Sequence, residues 1–321
     1  MTNMALRTIA SWAAALLMLA AVGLTADGGE QPASRGQSCE AADGKPDFGK
    51  DLAIYLGCGE VDGPGEVVQV DSAGKVLGRV KLTNSPSGLA VGKDGLVACM
   101  PWPMKEMVVQ IDAKGKVDLL YDDRDRCRHA LAAAANPQSG DVLIADNLTN
   151  VLILLPGGAA KDARILTAVP RGKGAMPGMS VAIASDGAYL LGGSGTKGIY
   201  RFSAGKAVTL GDPLLPGFGY VAADPSSKRW AATQADDLHL FKEAKEQLKI
   251  PYPQEMIATP AMTAFGPDGT LIAIGRPGKA PKSFVVLAAD FEAKGFRTLF
   301  TWDQSPVESV AVGPRMDWGK P

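Results

Sequence analysis

The sequence has no excess of charge of either sign and lacks the short motifs that identify common catalytic centres. Its 33 Lys and Arg balance 34 Asp and Glu, which leaves a formal net charge of -1. A general attraction to nucleic acid or to an anionic membrane is therefore not expected, and any partner must be recognised locally. There is no Cys-x-x-Cys-His haem attachment sequence and no His-Glu-x-x-His zinc motif, and the only histidines are His129 and His239.

Long apolar runs are also missing, except near the start of the chain. Arg7 precedes an apolar run over residues 9–24, which is followed by small residues up to Ala26 and then by polar ones. This pattern predicts a secretory signal peptide over 1–26, with an uncleaved membrane anchor as the alternative. Residues 27–50 are predicted to be a flexible lead-in. The mature protein is expected to be periplasmic or secreted, and free of the membrane once the signal is removed.

Cysteine is scarce, but its number is even. Export would place Cys39, Cys58, Cys99 and Cys127 in an oxidising compartment, where disulfides form. Four cysteines allow three pairings. Cys99 follows a predicted second strand and Cys127 lies in the next loop on the same face, so a disulfide between these two is predicted. A bond between Cys39 and Cys58 is a second candidate.

An internal repeat predicts the fold. Residues 67–76 and 108–117 share 7 identities in 10 at an offset of 41 residues, and both alternate apolar positions before an Asp-x-x-Gly-Lys turn. Alternation of this kind is typical of a strand that enters a hairpin, and a period near 40 is typical of a four-stranded propeller blade. Parallel β-coils usually have much shorter repeats and are disfavoured.

Six related units, each with small residues followed by a turn and an apolar strand, set the number of blades. They begin at Gly88, Ala130, Ser180, Tyr220, Met262 and Ser309. The last unit is too short for a whole blade, while residues 52–57, 66–70 and 76–82 form three strands without an inner one. An all-β, six-bladed β-propeller is therefore predicted over 51–321, closed by pairing of the C-terminal inner strand with the N-terminal strands.

Residues 84–91 (Asn-Ser-Pro-Ser-Gly-Leu-Ala-Val) and 140–151 resemble the NHL-repeat propellers and the wider group of gluconolactonase and senescence-marker-type lactonases. The lactonase branch implies a divalent cation, usually Ca²⁺, held over the channel by Glu, Asn and Asp from separate blades. The residues just ahead of the six inner strands here are Ser87, His129, Met179, Gly219, Ala261 and Glu308. Glu308 is thus the candidate metal ligand, and Ser87 stands where the resemblance implies Asn. Asp146 is interpreted as a turn residue.

The loops before the inner strands and after the second strands of a propeller open on one face, where a binding site is expected. The predicted binding residues are Ser87, Trp102, Arg126, Arg128, Met179 and Tyr220. His129 and Glu308 are predicted to act as a general acid and base across the channel. A copper site built from Cys127, His129 and methionines is a further alternative.

These features favour a binding or scaffold module that presents its channel face to a small molecule, a glycan or an exported protein, and they assign it no particular cofactor. The alternative is a metal-dependent lactonase-type hydrolase or lyase with a divalent ion at the channel mouth. A monomer is expected in either case.

Overall fold

The structure is a computed structural model. It describes residues 51–60, 63–101, 108–168, 179–193, 198–203, 214–216, 219–234, 236–253, 262–277 and 283–319. The predicted signal peptide and lead-in, residues 1–50, lie outside these ranges. Within them the chain is all-β apart from two short 3-10 turns, Pro156–Gly158 and Ala160–Asp162, and it contains no helix both long and apolar enough to cross a bilayer.

The described strands form six four-stranded antiparallel sheets, which are the blades of the predicted six-bladed propeller. The first three strands are β1 (Leu52–Gly59), β2 (Gly65–Val70) and β3 (Val76–Leu82). Blade 1 contains β4 (Gly88–Gly92), β5 (Gly95–Cys99), β6 (Val108–Ile111) and β7 (Val117–Tyr121). Blade 2 contains β8 (Ala130–Ala135), β9 (Val142–Asp146), β10 (Val151–Leu155) and β11 (Arg164–Ala168).

The remaining blades follow the same order along the chain. Blade 3 contains β12 (Ser180–Ile183), β13 (Tyr189–Gly192), β14 (Gly198–Phe202) and β15 (Leu215–Pro216). Blade 4 contains β16 (Val221–Ala223), β17 (Arg229–Thr233), β18 (Asp237–Lys242) and β19 (Lys245–Pro251). Blade 5 contains β20 (Met262–Phe265), β21 (Leu271–Gly275), β22 (Phe284–Asp290) and β23 (Gly295–Trp302), and the last strand is β24 (Val307–Pro314).

The two ends of the ring close as the sequence predicts. The sixth blade has the strand order β24-β1-β2-β3, with Leu52 opposite Pro314 and Leu56 opposite Val310. Four of the six inner strands begin at the predicted residue. The fourth-blade strand begins one residue later, at Val221, and β24 begins two residues earlier than predicted. Glu308 is therefore inside β24 rather than ahead of it.

The repeated Asp-x-x-Gly-Lys sequence builds the same turn twice. Asp71 Oδ1 accepts hydrogen bonds from the backbone N–H groups two and four residues later, both at 2.9 Å. Asp112 Oδ1 does the same at 2.8 and 2.9 Å. Gly74 and Gly115 have φ of 80° and 83°, a left-handed conformation that glycine adopts without steric cost. The turn chemistry therefore fixes the hairpin between the third and outermost strands of these blades.

The core lies between neighbouring blades rather than inside any one of them. In β1, Ile54 and Leu56 pack against blade 5, while Ala53 and Tyr55 pack against blade 1. Successive side chains of a strand point to opposite faces, and both faces of a blade are covered here, so the strand sequence is a continuous apolar run. The inner strands crowd around the axis: a Cβ on Gly88 would lie 2.8 Å from the Cα of Ala132 in blade 2.

Candidate functional site

A channel between the inner strands runs along the propeller axis and contains two cavities. The cavity of about 70 Å³ lies where the inner strands begin, and the cavity of about 420 Å³ lies where they end. We call these the narrow end and the wide end of the channel. Both are lined by Leu89, Ala133, Val181, Val221, Thr263 and Val310.

The narrow end brings together four residues that the sequence predicts to form the site. Ser87, Met179, Tyr220 and Glu308 all line it, and each comes from the start of a different inner strand. The Ser87 hydroxyl donates a hydrogen bond of 2.8 Å to the backbone carbonyl of Leu131 in the next blade. All inner strands begin at the same end of the channel, and residues from distant parts of the sequence therefore converge there.

Glu308 is the only carboxylate among the described residues that line the channel. Burial raises the pKa of its carboxyl, and the nearby Arg276 guanidinium partly opposes this effect. Arg276 also lies 4.8 Å from the ring centre of Phe284. The pKa of Tyr220 is raised by burial and then by the negative charge of Glu308. The narrow end therefore favours the neutral form of the Glu308 carboxyl. A cation that enters the cavity would instead compensate the charge of the ionised form.

His129 lies on the same face, but it is not among the residues that line either cavity. Its Nδ1 forms a hydrogen bond with Asn147 Oδ1. Because an amide oxygen only accepts, Nδ1 is the donor, and the neutral imidazole carries its lone pair on Nε2. A base at Nε2 is chemically available in this arrangement. The acid–base pairing of His129 with Glu308 stays a prediction.

Two of the other predicted binding residues, Arg126 and Arg128, lie shortly before His129 in the same loop. Arg126 donates from Nη1 to the carbonyl of Ala163 at 3.0 Å and forms an ion pair with Asp123 at 3.4 Å. Arg128 has an exposed side chain. Both arginines are outside the set of residues that line the narrow end. Trp102 lies outside the described residues.

Asp146 is the functional-site residue whose role sequence reasoning missed. It closes a turn, as interpreted, because its Oδ1 accepts from the N–H and the hydroxyl of Thr149, both at 2.6 Å. Its Oδ2 also accepts from the backbone N–H groups of Arg128, at 2.7 Å, and of His129. Burial alone would raise its pKa, but these hydrogen bonds outweigh burial and hold the pKa below the usual carboxyl value. The signal is the pair Asp146 and Asn147, followed by Thr149, at the end of the buried strand β9.

The cysteines differ from the predicted arrangement. Cys99 and Cys127 are buried in the same apolar cluster, and the structure has both as free thiols rather than as the predicted disulfide. The Cys127 thiol lies 3.4 Å from Asp146 Oδ2, to which it donates. Burial raises the pKa of both thiols, so both are protonated at neutral pH.

The described residues that line the channel offer few ligands for a metal ion. Across the described ranges, no group of three or more His, Cys, Asp or Glu side chains is placed to hold a metal ion. At the narrow end, the side chains beside Glu308 that carry oxygen or sulfur are those of Ser87, Ser180, Ser309, Thr263, Tyr220, Met179 and Met262. A divalent ion prefers several oxygen ligands, and among the described residues that line the narrow end Glu308 supplies the only carboxylate. Metal binding by Glu308 stays a prediction.

No protein-family model and no curated protein matches this sequence. Among solved structures, a candidate 6-phosphogluconolactonase from Bacteroides fragilis aligns with a TM-score of 0.53 and 16% identity, over 82% of this chain and 84% of that one. A chain of the nidogen/laminin complex aligns with a TM-score of 0.53 and 11% identity, over 81% of this chain and 98% of that one. At these identities, the likeness concerns the propeller fold alone.

Proposed function

We propose that this protein is an exported binding or scaffold propeller that takes its partner at the channel face where the inner strands begin. The observation that supports this proposal is the convergence of Ser87, Met179, Tyr220 and Glu308 around the narrow end. Propellers commonly use the mouth of the channel for recognition, because several loops supply side chains to the same place. The partner would be a small molecule, a glycan or another exported protein.

The chemistry of the narrow end suggests which group of the partner enters it. A cavity of about 70 Å³ admits a single projecting group rather than a whole ligand. Glu308 is the carboxylate there, and burial works against its charge. An ammonium or guanidinium group would compensate that charge, while Met179 and Tyr220 would contact its alkyl stem. We therefore expect the partner to insert a basic group.

One experiment tests this expectation with n-butylammonium as the probe. The Glu308 carboxyl is followed by carbon-detected NMR during pH titrations, with and without the probe. Saturable binding that lowers the pKa of Glu308 supports the proposal, because a bound cation favours the ionised carboxylate. Glu308→Gln should abolish binding, whereas Glu292→Gln, at an exposed turn, should leave it unchanged. Absence of saturable binding, or equal binding of n-butanol, contradicts the proposal.

A metal-dependent lactonase-type hydrolase or lyase is the second candidate. The observation that favours it is the carboxyl of Glu308 at the channel mouth. Calorimetric titration with Ca²⁺ separates the two candidates. Stoichiometric uptake that is lost in Glu308→Gln and kept in Glu292→Gln would favour the lactonase-type enzyme over the binding module.

A further inference from the structure

We propose that the wide end of the channel is a second binding site, for a small apolar molecule that carries one negative charge. This cavity opens on the face opposite to the one described above. Its volume of about 420 Å³ lies within the range of roughly 300–1,000 Å³ that is typical of small-molecule pockets.

The wall of the wide end is mainly apolar, and its uncharged polar residues are Asn136, Gln138, Ser185 and Thr263. All six inner strands contribute, and the larger apolar side chains include Leu89, Val91, Ile183, Phe265, Val310 and Val312. Pockets for small molecules combine apolar walls with a few polar groups that fix orientation. The wide end therefore suits an alkyl or aromatic body, because burial of such a body removes apolar surface from water on both sides.

The rim of the wide end is rigid and repeats around the ring. In five blades the rim includes a residue one or two positions after the inner strand, namely Lys93, Pro137, Ser185, Pro225 and Pro267, and in the sixth blade it includes Pro314, the last residue of β24. Four of these six are prolines, whose ring fixes φ near -65°. A rim built this way is largely preformed, so a ligand orders little of the chain when it enters.

Charge decides which apolar molecule fits. Lys93 is the only charged residue among the described residues that line the wide end. Its side chain is exposed, and no ion pair is formed between it and any residue in the described ranges. A carboxylate at the rim would meet the Lys93 ammonium while the apolar body lies in the channel. Since Glu308 lies at the other end, the two ends of the channel prefer groups of opposite charge.

The test uses octanoate as the probe, with 1-octanol and octylammonium as comparators, in isothermal titration calorimetry. Octanoate should bind with one site per chain. Lys93→Gln should weaken octanoate binding by about 1.5-fold to fivefold, the range expected for one exposed charge, and should leave 1-octanol unaffected. Lys75→Gln, at an exposed turn between β2 and β3, is the matched control and should not change octanoate binding.

A second measurement locates the bound molecule. An octanoate analogue with a nitroxide on its chain should broaden the methyl NMR signals of Val181 and Val221, which line the channel, and should spare those of Val117 on the outermost strand of blade 1. The proposal is overturned if octanoate fails to saturate, if Lys93→Gln and Lys75→Gln weaken it equally, if octylammonium binds as tightly, or if the broadening misses the channel. None of these outcomes depends on butylammonium binding at the narrow end.

Discussion

At the scale of single residues, one buried carboxylate, that of Asp146, connects two loops on the face where the inner strands begin. Asp146 is fully buried. One of its oxygens holds the turn at Thr149, and the other holds the backbone at Arg128 and His129. Asn147, the next residue, meets the imidazole of His129. The position of the predicted base His129 therefore depends on a carboxylate that itself does not touch the channel.

Asp146→Asn should lower the free energy of unfolding by about 2–4 kcal/mol, because an amide cannot accept all the hydrogen bonds that both carboxylate oxygens accept. The measurement is urea denaturation, and Asp290→Asn is the control, since Asp290 caps an exposed turn through one oxygen. A loss no larger than that of the control contradicts the prediction.

The same variant has a predicted pH dependence. The pKa of Asp146 is lower in the folded protein than in the unfolded chain. Its stabilisation is therefore complete above the ordinary carboxyl pKa and is lost as the pH falls through the folded value. The difference between wild type and Asp146→Asn should shrink on acidification over that window.

At the scale of elements, β24 and the residues after it contact the first strands of the described part of the chain. The N–H of Arg315 donates to the carbonyl of Asp51 at 2.6 Å. The indole N–H of Trp318 donates to the carbonyl of Asp112 at 3.1 Å, and its ring lies 5.4 Å from that of Tyr55. The C-terminal segment thus spans from the sixth blade to blade 1. The sequence predicted the pairing of β24 but gave no role to the residues after Pro314.

Deletion of residues 309–321 should remove hydrogen-exchange protection from β1–β3 as well as destabilise the chain. The reason is that β1 pairs with β24 along most of its length, and without it β1 becomes an exposed edge. Deletion of residues 320–321 alone is the control. Unchanged hydrogen-exchange protection of β1 in the longer deletion would show that pairing with β24 is not what stabilises β1–β3.

At the scale of the whole molecule, the chain runs from blade to blade around the ring, and the ring is closed where β1 pairs with β24. Residues at the two ends of the described chain lie side by side in the sixth blade, whereas the other five blades each come from one continuous segment. Contacts between residues far apart in sequence are costly to form, because the intervening chain loses entropy. In the sixth blade, strand pairing between β1 and β24 therefore adds to the packing between neighbouring blades and stabilises the closed ring.

A circular permutant tests this interpretation. It would link residue 319 to residue 51 through a flexible Gly–Ser linker and open the chain between Arg124 and Asp125, in the exposed loop between blades 1 and 2. Each blade is then continuous, and the ring is closed by packing alone. The permutant should keep the β circular-dichroism spectrum but unfold at a lower urea concentration than a chain with the same linker inserted after Arg124. An equal or higher midpoint contradicts the prediction.

The sequence by itself determined the architecture. Alternation of apolar residues, the two Asp-x-x-Gly-Lys turns and the spacing of the six units are local features, and they predicted the blades, most inner-strand starts and the closure. It also placed Ser87, Met179, Tyr220 and Glu308 on one face, because the starts of inner strands must share an end of the channel.

Only the tertiary structure decided the site itself. The burial of Asp146, the protonated thiols of Cys99 and Cys127, and the width of the channel at its two ends depend on how six blades pack around one axis. Burial and cavity volume arise from contacts between residues that are distant in the sequence, so no local pattern records them. The strands can therefore be predicted from the sequence, whereas the shape and volume of the channel between them cannot.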